Sequence, residues 1–243
     1  MTNPTAAMLV IGDEILSGRT RDSNMHHLAQ RLTAHGIDMT EMRVVRDERA
    51  AITDAVTALS AAHTHVFTSG GIGPTHDDIT ADCVAAAFGK AIDVRDDARA
   101  VLQAHYDAKG IEMNESRLRM ARIPEGAKLI DNPVSAAPGF TLGNVHVMAG
   151  VPRIFEAMVD GLLARLEGGT PPVSRNLTIR RGEGDVAGPL RTLAGENPAL
   201  SFGSYPFADD RGGAVNVVVR GAEPEAVDAA IAHLAEVFPD AEL

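Results

Sequence analysis

The sequence predicts an α/β protein with a mostly parallel sheet between two layers of helices, followed by a small α+β domain. First, the 243 residues, 45% hydrophobic and 23% charged, have the composition of a globular chain that buries a sizeable core. Second, short apolar runs alternate with amphipathic segments over the first two thirds, as in parallel sheets covered by helices. Third, a Gly- and Pro-rich linker at 167–172 precedes a different element order. We therefore expect domains at 1–167 and 174–243.

The larger domain is predicted element by element from hydrophobic period. Short apolar runs at 8–11 and 145–148 indicate buried strands, and the segments 39–45 and 65–68 are predicted to be strands between them. Apolar residues at helical spacing indicate helices after each of the first three strands, near 98–105 and over 154–166. Gly36 and Gly89 are expected to end two of these helices, and Asp78 or Thr80 to cap the start of the helix that ends at Gly89. A loop-rich section is predicted between the helix near 98–105 and the strand at 145–148.

The smaller domain is predicted to begin with a strand at 177–179 and a short helix. Two further strands are expected at 201–207 and 214–219. A last helix places Val227, Ala230, Ile231 and Leu234 on one face. Strands that follow one another without an intervening helix favour an α+β arrangement here.

Charge and cysteine content argue against several classes of function. The formal net charge is −11 and no basic stripe is interleaved with aromatics, so nucleic acid is not an expected partner. Cys83 is the only cysteine, which rules out an internal disulfide and a cysteine zinc cluster, and we expect it to be a small core residue. The first apolar run has no basic leader, and no run reaches the length of a membrane span, so a cytoplasmic protein without membrane contact is expected.

Acidic residues and glycines follow the predicted strands. Asp13 and Glu14 follow the first strand, and Asp47 follows the second. The third strand leads into the run Ser-Gly-Gly-Ile-Gly-Pro-Thr-His-Asp-Asp at 69–78. Since ligands of open parallel sheets bind outside the carboxyl ends of the strands, these residues are expected to meet at one site.

The run at 70–78 is the most specific of these segments. Gly70, Gly71 and Gly73 allow close backbone approach and positive φ, so their N–H groups can form a nest for an anion. A helix beginning after the loop would strengthen the attraction, and Thr75 adds a hydroxyl donor. Asp77 and Asp78 are hard oxygen ligands suited to Mg²⁺ or Mn²⁺, which would offset their repulsion of a phosphate. The sequence thus predicts a phosphate-bearing, nucleotide- or pterin-like ligand.

Simpler interpretations of the same residues remain open. The glycines can serve a plain turn, Asp78 can cap the next helix, and Asp13, Glu14 and Asp47 can be solvated loop acids. His76 either contacts the ligand or is a solvated histidine.

One other pattern resembles a known binding motif, and two further motifs are absent from the sequence. Residues 182–187 fit the spacing G-x-G-x-x-A after a strand, but the helix that follows looks short and no βαβ unit follows, so a dinucleotide site is not expected. The sequence contains no Walker A pattern and no H-E-x-x-H, which argues against a P-loop kinase or GTPase and against that type of zinc protease.

The motifs together resemble a known family. The runs at 12–18 with Thr20, Asp22 and Asn24, at 69–80, at 132–140 and at 149–152 are similar to the N-terminal domain of CinA-type proteins, which have the MoaB/MogA molybdopterin-binding fold. The resemblance covers about residues 6–166, and its most specific part is Gly-Gly-Ile-Gly-Pro-Thr-His-Asp-Asp. The remaining chain resembles the small second domain of CinA-like proteins, with its best local match at 203–206.

The resemblance implies a three-layer α/β/α domain with its ligand at the loop described above, and it suggests two functions. One is metal-dependent hydrolysis of a nucleotide pyrophosphate such as ADP-ribose, which the Asp77-Asp78 pair favours because the MogA branch commonly has an arginine before the acid. The other is binding of molybdopterin without hydrolysis. A homo-oligomer is implied by analogy. CinA proteins usually continue into a nicotinamide mononucleotide deamidase domain with no counterpart here, so deamidation is not expected.

Carried over by position, the resemblance assigns roles to ten residues. The phosphate-binding positions fall on Gly70, Gly71, Gly73, Pro74, Thr75 and Gly139, the last in a second glycine loop. The catalytic positions fall on Asp47, Asp77 and Asp78. The same three with Glu14 are the expected ligands of a divalent metal, Mg²⁺ first, with Co²⁺ and Mn²⁺ as alternatives.

Overall fold

The computed structural model describes residues 2–242 and divides into two compact units, one ending at Gly169 and the other beginning at Thr170. The strands of the first unit are β1 (Thr5–Ile11), β2 (Asp38–Val45), β3 (His65–Ser69), β4 (Ile92–Val94), β5 (Arg122–Pro124), β6 (Lys128–Ile130), β7 (Gly139–Leu142) and β8 (Val145–Met148). Its helices are α1 (Asp13–Leu16), α2 (Asn24–Ala34), α3 (Arg49–Ala62), α4 (Thr80–Ala87), α5 (Asp96–Asp107), α6 (Glu115–Leu118), a 3₁₀ turn (Arg119–Ala121) and α7 (Pro152–Leu163).

The first unit is built on a six-stranded sheet in the order β2-β1-β3-β8-β7-β6. The first four strands are parallel, and β7 and β6 are added antiparallel at one edge. The predicted mostly parallel sheet is therefore confirmed. The section predicted to be loop-rich also contains β5, β6 and β7, which were not predicted, and β4 precedes them to pair with β5. Strands of three or four residues are too short for their alternation to stand out in the sequence.

Two hydrophobic cores lie on the two faces of this sheet. Alternate residues of β1 face opposite sides, as the strand period requires, with Leu9 in one core and Met8 in the other. Side chains from α3, α4 and α5 complete the first core, and side chains from α2 and α7 complete the second. The predicted three-layer α/β/α arrangement follows from this division.

Helix α4 begins differently from the prediction. It starts at Thr80 with Ile79 at the N-cap position, and neither Asp78 nor Thr80 caps it with a side chain. The Thr80 hydroxyl instead donates to the Gly70 carbonyl at 2.9 Å, and the Thr80 N–H donates to the Gly71 carbonyl at 3.0 Å. Thr80 therefore fastens the start of the helix to the glycine loop.

The second unit is a small α+β domain. Its elements are β9 (Val173–Ile179), α8 (Glu183–Glu196), β10 (Ser201–Asp209), β11 (Gly212–Gly221) and α9 (Pro224–Val237). The strands form an antiparallel sheet in the order β10-β11-β9, and both helices contribute to a single core with it. Helix α8 has 14 residues, so the predicted short helix was wrong. Because this sheet is antiparallel, the glycines at 182–187 do not belong to a parallel βαβ unit.

Within residues 2–242, none of the helices combines the length and the apolar character needed to cross a bilayer.

Candidate functional site

The carboxyl ends of the four parallel strands surround a cavity of about 540 Å³, here called the main cavity. Ile11 and Gly12 contribute from β1, Asp47 from the residues after β2, the glycine loop from β3 and Gly150 from β8. The start of α7 and the turn between β6 and β7 complete the walls. This is the position at which open parallel sheets bind their ligands.

The structure brings most of the predicted site residues to this cavity. Eight of the ten line it: Glu14, Asp47, Gly70, Gly71, Gly73, Pro74, Asp77 and Asp78. Gly139 is not among its lining residues. It is the first residue of β7, where a side chain would collide with the Val147 carbonyl and with Met158, so this glycine permits close packing and is not part of a second glycine loop.

The glycine loop has the backbone expected of an anion nest. Gly70 and Gly71 have φ values of 105° and 68°, a region that side chains disfavour. A Cβ at Gly71 would overlap the Thr80 hydroxyl, and one at Gly70 would overlap the Ile11 carbonyl. Within the described chain, the N–H groups of Gly71, Ile72 and Gly73 have no hydrogen-bond partner. Three adjacent free donors beside a cavity are suited to a phosphate.

Asp78 and Thr75 are bound to each other inside the loop. The Thr75 N–H and hydroxyl both donate to Asp78 Oδ2, at 2.8 and 2.5 Å. Thr75 was predicted to donate to the phosphate, but here its donors are taken by Asp78, and Thr75 is not among the residues that line the main cavity. Gly73 makes room for this arrangement, because a Cβ there would meet the same carboxylate at 2.6 Å.

Asp47 lies in a strongly negative part of the site. Its Oδ2 accepts a hydrogen bond from the Asp13 N–H at 2.9 Å. The pKa of Asp47 is raised, chiefly by burial. The hydrogen bond from Asp13 lowers this pKa, and the negative charges of Glu14, Asp13 and Asp77 raise it. Asp13 itself faces Arg46, 3.6 Å from the guanidinium, and is not a lining residue of the main cavity. A cation in this cavity would therefore be favoured.

The carboxylates do not form a ready-made metal site. Over residues 2–242, no three or more His, Cys, Asp or Glu side chains are grouped so that they could hold a metal ion. Mg²⁺, however, commonly binds through one or two carboxylates, with phosphate oxygens of the substrate and water completing its six ligands. Asp77 and Asp47, which share the cavity and interact electrostatically, fit that mode of binding.

Two asparagines organise the site without being predicted as site residues. Asn24 is 3% exposed, and its amide nitrogen donates to Ser69 Oγ and to the Gly150 carbonyl, both at 2.8 Å, so it joins the ends of β3 and β8. Asn132 bonds Ser135 and the Ala137 carbonyl and shapes the turn that lines the cavity. Both asparagines belong to the runs that carry the family resemblance, which was the available signal for them.

Two further predictions concern single side chains. Cys83 is fully buried in the first core, as predicted. His76 is exposed over 99% of its side chain, 3.9 Å from Asp77, and does not line the main cavity.

The two units of the chain match two different protein families. Residues 7–168 match the family model described as a probable molybdopterin binding domain, and residues 171–243 match the model described as the middle domain of FAD synthase. The crystal structure of CinA from Thermoplasma acidophilum is 33% identical with a TM-score of 0.61, and the match covers 66% of this chain and 98% of that one.

Two longer relatives match this chain over only about half of their own length. A CinA-like protein of Desulfosudis oleivorans is 36% identical over 72% of this chain and 45% of its own. A probable FAD synthase of Caenorhabditis elegans is 32% identical over 96% of this chain and 50% of its own. The chain thus spans about half the length of these two relatives. From the family match over residues 7–168 and the CinA structure, the chain belongs to the molybdopterin-binding-domain family, in its CinA-like branch.

Proposed function

We propose that the protein binds a nucleotide pyrophosphate such as ADP-ribose in the main cavity and hydrolyses it in the presence of a divalent cation. The observation that carries the proposal is the row of three free N–H groups at Gly71, Ile72 and Gly73, next to the carboxylates of Asp47 and Asp77. Donors for phosphate and acceptors for a cation then lie in one cavity large enough for a nucleotide.

Binding would begin at the glycine loop. Its N–H groups would hold the oxygens of one phosphate, and the N-terminus of the 12-residue helix α7, whose Pro152 and Val151 line the cavity, would add a partial positive charge. Asn24 would keep the ends of β3 and β8 together, and so hold Gly70 and Gly150 on either side of the ligand. These donors would also stabilise the charge that grows on the phosphoryl oxygens during the reaction.

The hydrolytic step needs a water, an acceptor for its proton and a leaving phosphate. Asp47 is suited to accept the proton, since its carboxylate lines the main cavity together with the glycine loop. The water oxygen would bond to one phosphorus while the P–O bond to the bridging oxygen breaks, giving AMP and ribose 5-phosphate from ADP-ribose. A divalent cation held by Asp77 and Asp47 would neutralise phosphate charge and make the water more acidic.

The test is AMP release from ADP-ribose with Mg²⁺, Mn²⁺ or Co²⁺, measured for the native chain and for Asp77→Asn. We expect metal-dependent release that falls about a hundredfold or more in Asp77→Asn, the scale of losing one electrostatic stabiliser of a transition state. Asp54→Asn is the control, because Asp54 is an exposed aspartate in α3 that does not line the main cavity. Equal rates in native protein and Asp77→Asn, or no AMP with any of the three metals, would overturn the proposal.

The second candidate is binding of molybdopterin without hydrolysis, and the family model over residues 7–168 favours it. The same glycine loop would then hold the pterin phosphate. Molybdopterin that binds tightly, together with no AMP release under any metal, would support this function over hydrolysis.

FAD should be tested as a substrate alongside ADP-ribose. The relative named a probable FAD synthase matches 96% of this chain, and FAD contains the same kind of pyrophosphate as ADP-ribose. Since the match covers half of that relative, FAD synthesis is not inferred for this chain. If FAD is hydrolysed, the expected products are AMP and FMN.

A further inference from the structure

The main cavity poses an electrostatic problem for the ligand that we propose. It is lined by four carboxylates, and none of the lysines or arginines among residues 2–242 lines it. The whole chain also carries a formal net charge of −11. A phosphate there would be repelled unless a positive group lay within a few ångströms.

A second, much smaller cavity adjoins the glycine loop. Its volume is about 20 Å³, and it shares Gly71, Ile72, Gly73 and Asp78 with the main cavity. Two arginines, Arg119 and Arg122, contribute to its walls. This volume is close to the smallest that holds one water molecule. It therefore has room for one oxygen atom of a phosphate whose other atoms lie in the main cavity.

The two arginines differ in what they bind. Arg122 is paired with Asp82 through two hydrogen bonds of 2.8 and 2.9 Å, and both side chains are largely buried. The Arg119 guanidinium makes no hydrogen bond or ion pair to any residue of the described chain, and its Nε is buried without a partner. A buried arginine N–H that has no hydrogen-bond acceptor destabilises the protein, and a ligand that supplies the acceptor removes this free-energy cost.

The acids of this second cavity are already engaged. Asp82 is held by Arg122, and Asp78 accepts both donors of Thr75. The positive charge of Arg119 is therefore available to an incoming anion.

We propose that Arg119 is a phosphate-binding residue that receives one phosphoryl oxygen of the ligand across the glycine loop. The inference rests on one part of the proposed function, namely that a phosphate binds at the glycine loop. It holds equally for a nucleotide and for a pterin phosphate. It narrows the ligand class to molecules with a charged phosphate at this point, because an uncharged ligand gains nothing from the guanidinium.

The test measures AMP and adenosine binding by calorimetry without a metal, so that no turnover enters the result. Arg119→Met should weaken AMP binding by about 10- to 100-fold, the scale of one charge-assisted hydrogen bond. Arg119→Lys should recover part of the loss, since lysine keeps the charge without the planar fork. Adenosine binding should be the same in all variants.

Arg117→Met is the matched control. Arg117 lies two residues away, donates to the Glu112 carbonyl, stacks on Tyr106 and lines neither cavity. The Arg117→Met substitution removes the same charge from the same segment but leaves both cavities unchanged, so its AMP affinity should equal the native value. Thermal unfolding of each variant checks that the fold is intact. Unchanged AMP affinity in Arg119→Met, equal losses for AMP and adenosine, or no AMP binding by the native chain would each overturn the inference. AMP binding that depends on Arg119 in a chain without hydrolysis would leave the inference standing and the hydrolase proposal refuted.

Discussion

Asp47 shows how one residue can stabilise a site and destabilise the fold. Its carboxylate accepts the Asp13 N–H, which fixes the turn after β1, yet it lies among Glu14, Asp13 and Asp77. Burial and these charges raise its pKa. The native chain therefore holds a proton on Asp47 at pH values where the unfolded chain has lost it, and the free energy of unfolding falls as the pH rises through that window.

Asp47→Asn separates the two effects. Asparagine keeps an oxygen to accept the Asp13 N–H and removes the unfavourable charge, so the melting temperature at pH 7 should equal or exceed the native one. Metal-dependent AMP release should fall by about a hundredfold, because the proposed proton acceptor is lost. Calorimetry and the AMP assay measure the two quantities. A melting temperature several degrees below native would show that the ionised carboxylate supports the fold, contrary to this account.

At the scale of single residues, local signals predicted the site and longer-range ones did not. Gly70, Gly71, Gly73 and the acids around them stand within one short run, so residue types and spacing were enough to place them at the main cavity. Arg119 reaches the same loop from more than forty positions along the chain, and no spacing rule connects the two segments. Gly139 looked like a loop residue because a glycine within a short strand gives no alternation to detect.

At the scale of elements, β3 and β8 are joined at the end opposite the glycine loop by a pair of histidines, of which His146 is buried and His65 is partly exposed. His65 Nδ1 and His146 Nε2 are 3.1 Å apart, and His146 Nδ1 lies 2.9 Å from the Thr141 hydroxyl of β7. Burial, and to a lesser degree the charge of His65, lowers the pKa of His146 to about 3. Between its ordinary pKa of 6.5 and its native pKa of about 3, His146 is therefore neutral in the native sheet, whereas an unfolded histidine binds a proton.

This pair should make the first unit acid-sensitive. Because unfolded His146 takes up a proton below its ordinary pKa of 6.5 and the native residue does not, the free energy of unfolding falls as the pH falls from 7. Between pH 7 and 5 the expected loss from His146 alone is about 2 kcal/mol. In His146→Gln that part of the loss should disappear.

Urea unfolding at pH 7 and pH 5 measures the difference. The control is His26→Gln, since His26 is exposed on α2 and should leave the native pH dependence unchanged. If His146→Gln loses as much stability as the native chain between the two pH values, the buried histidine is not the source of the acid sensitivity.

Long helices and strands were predicted from the sequence more often than short ones. The four parallel strands were recognised mainly from apolar runs, and the long helices of the first unit carry a period of 3.6 residues over enough positions to be recognised; these elements lie at the expected places. The strands β4 to β7 were missed because each has only three or four residues and, unlike the four-residue β8, none of them contains three large apolar side chains. In addition, β4 pairs with β5, where Ile92 lies opposite Pro124, and a local window does not contain both strands.

At the scale of the whole molecule, the chain consists of two units with separate cores. The first unit has a core on each face of its sheet, and the second has a single core between its sheet and its two helices. The residues that we assign to binding and catalysis all belong to the first unit. The linker at 167–172 and the change of element order after it led us to expect two domains, whereas the free donors of the glycine loop and the unpaired Arg119 required the structure.

The central claim is that the main cavity of the first unit holds a nucleotide phosphate on the glycine loop, and a crystal structure with AMP and Mn²⁺ tests it most directly. The account predicts phosphate oxygens within hydrogen-bonding distance of the N–H groups of Gly71, Ile72 and Gly73. It also predicts a Mn²⁺ anomalous peak between the phosphate and the carboxylates of Asp47 and Asp77. AMP bound elsewhere, or a phosphate in the cavity that contacts none of these N–H groups, would contradict it.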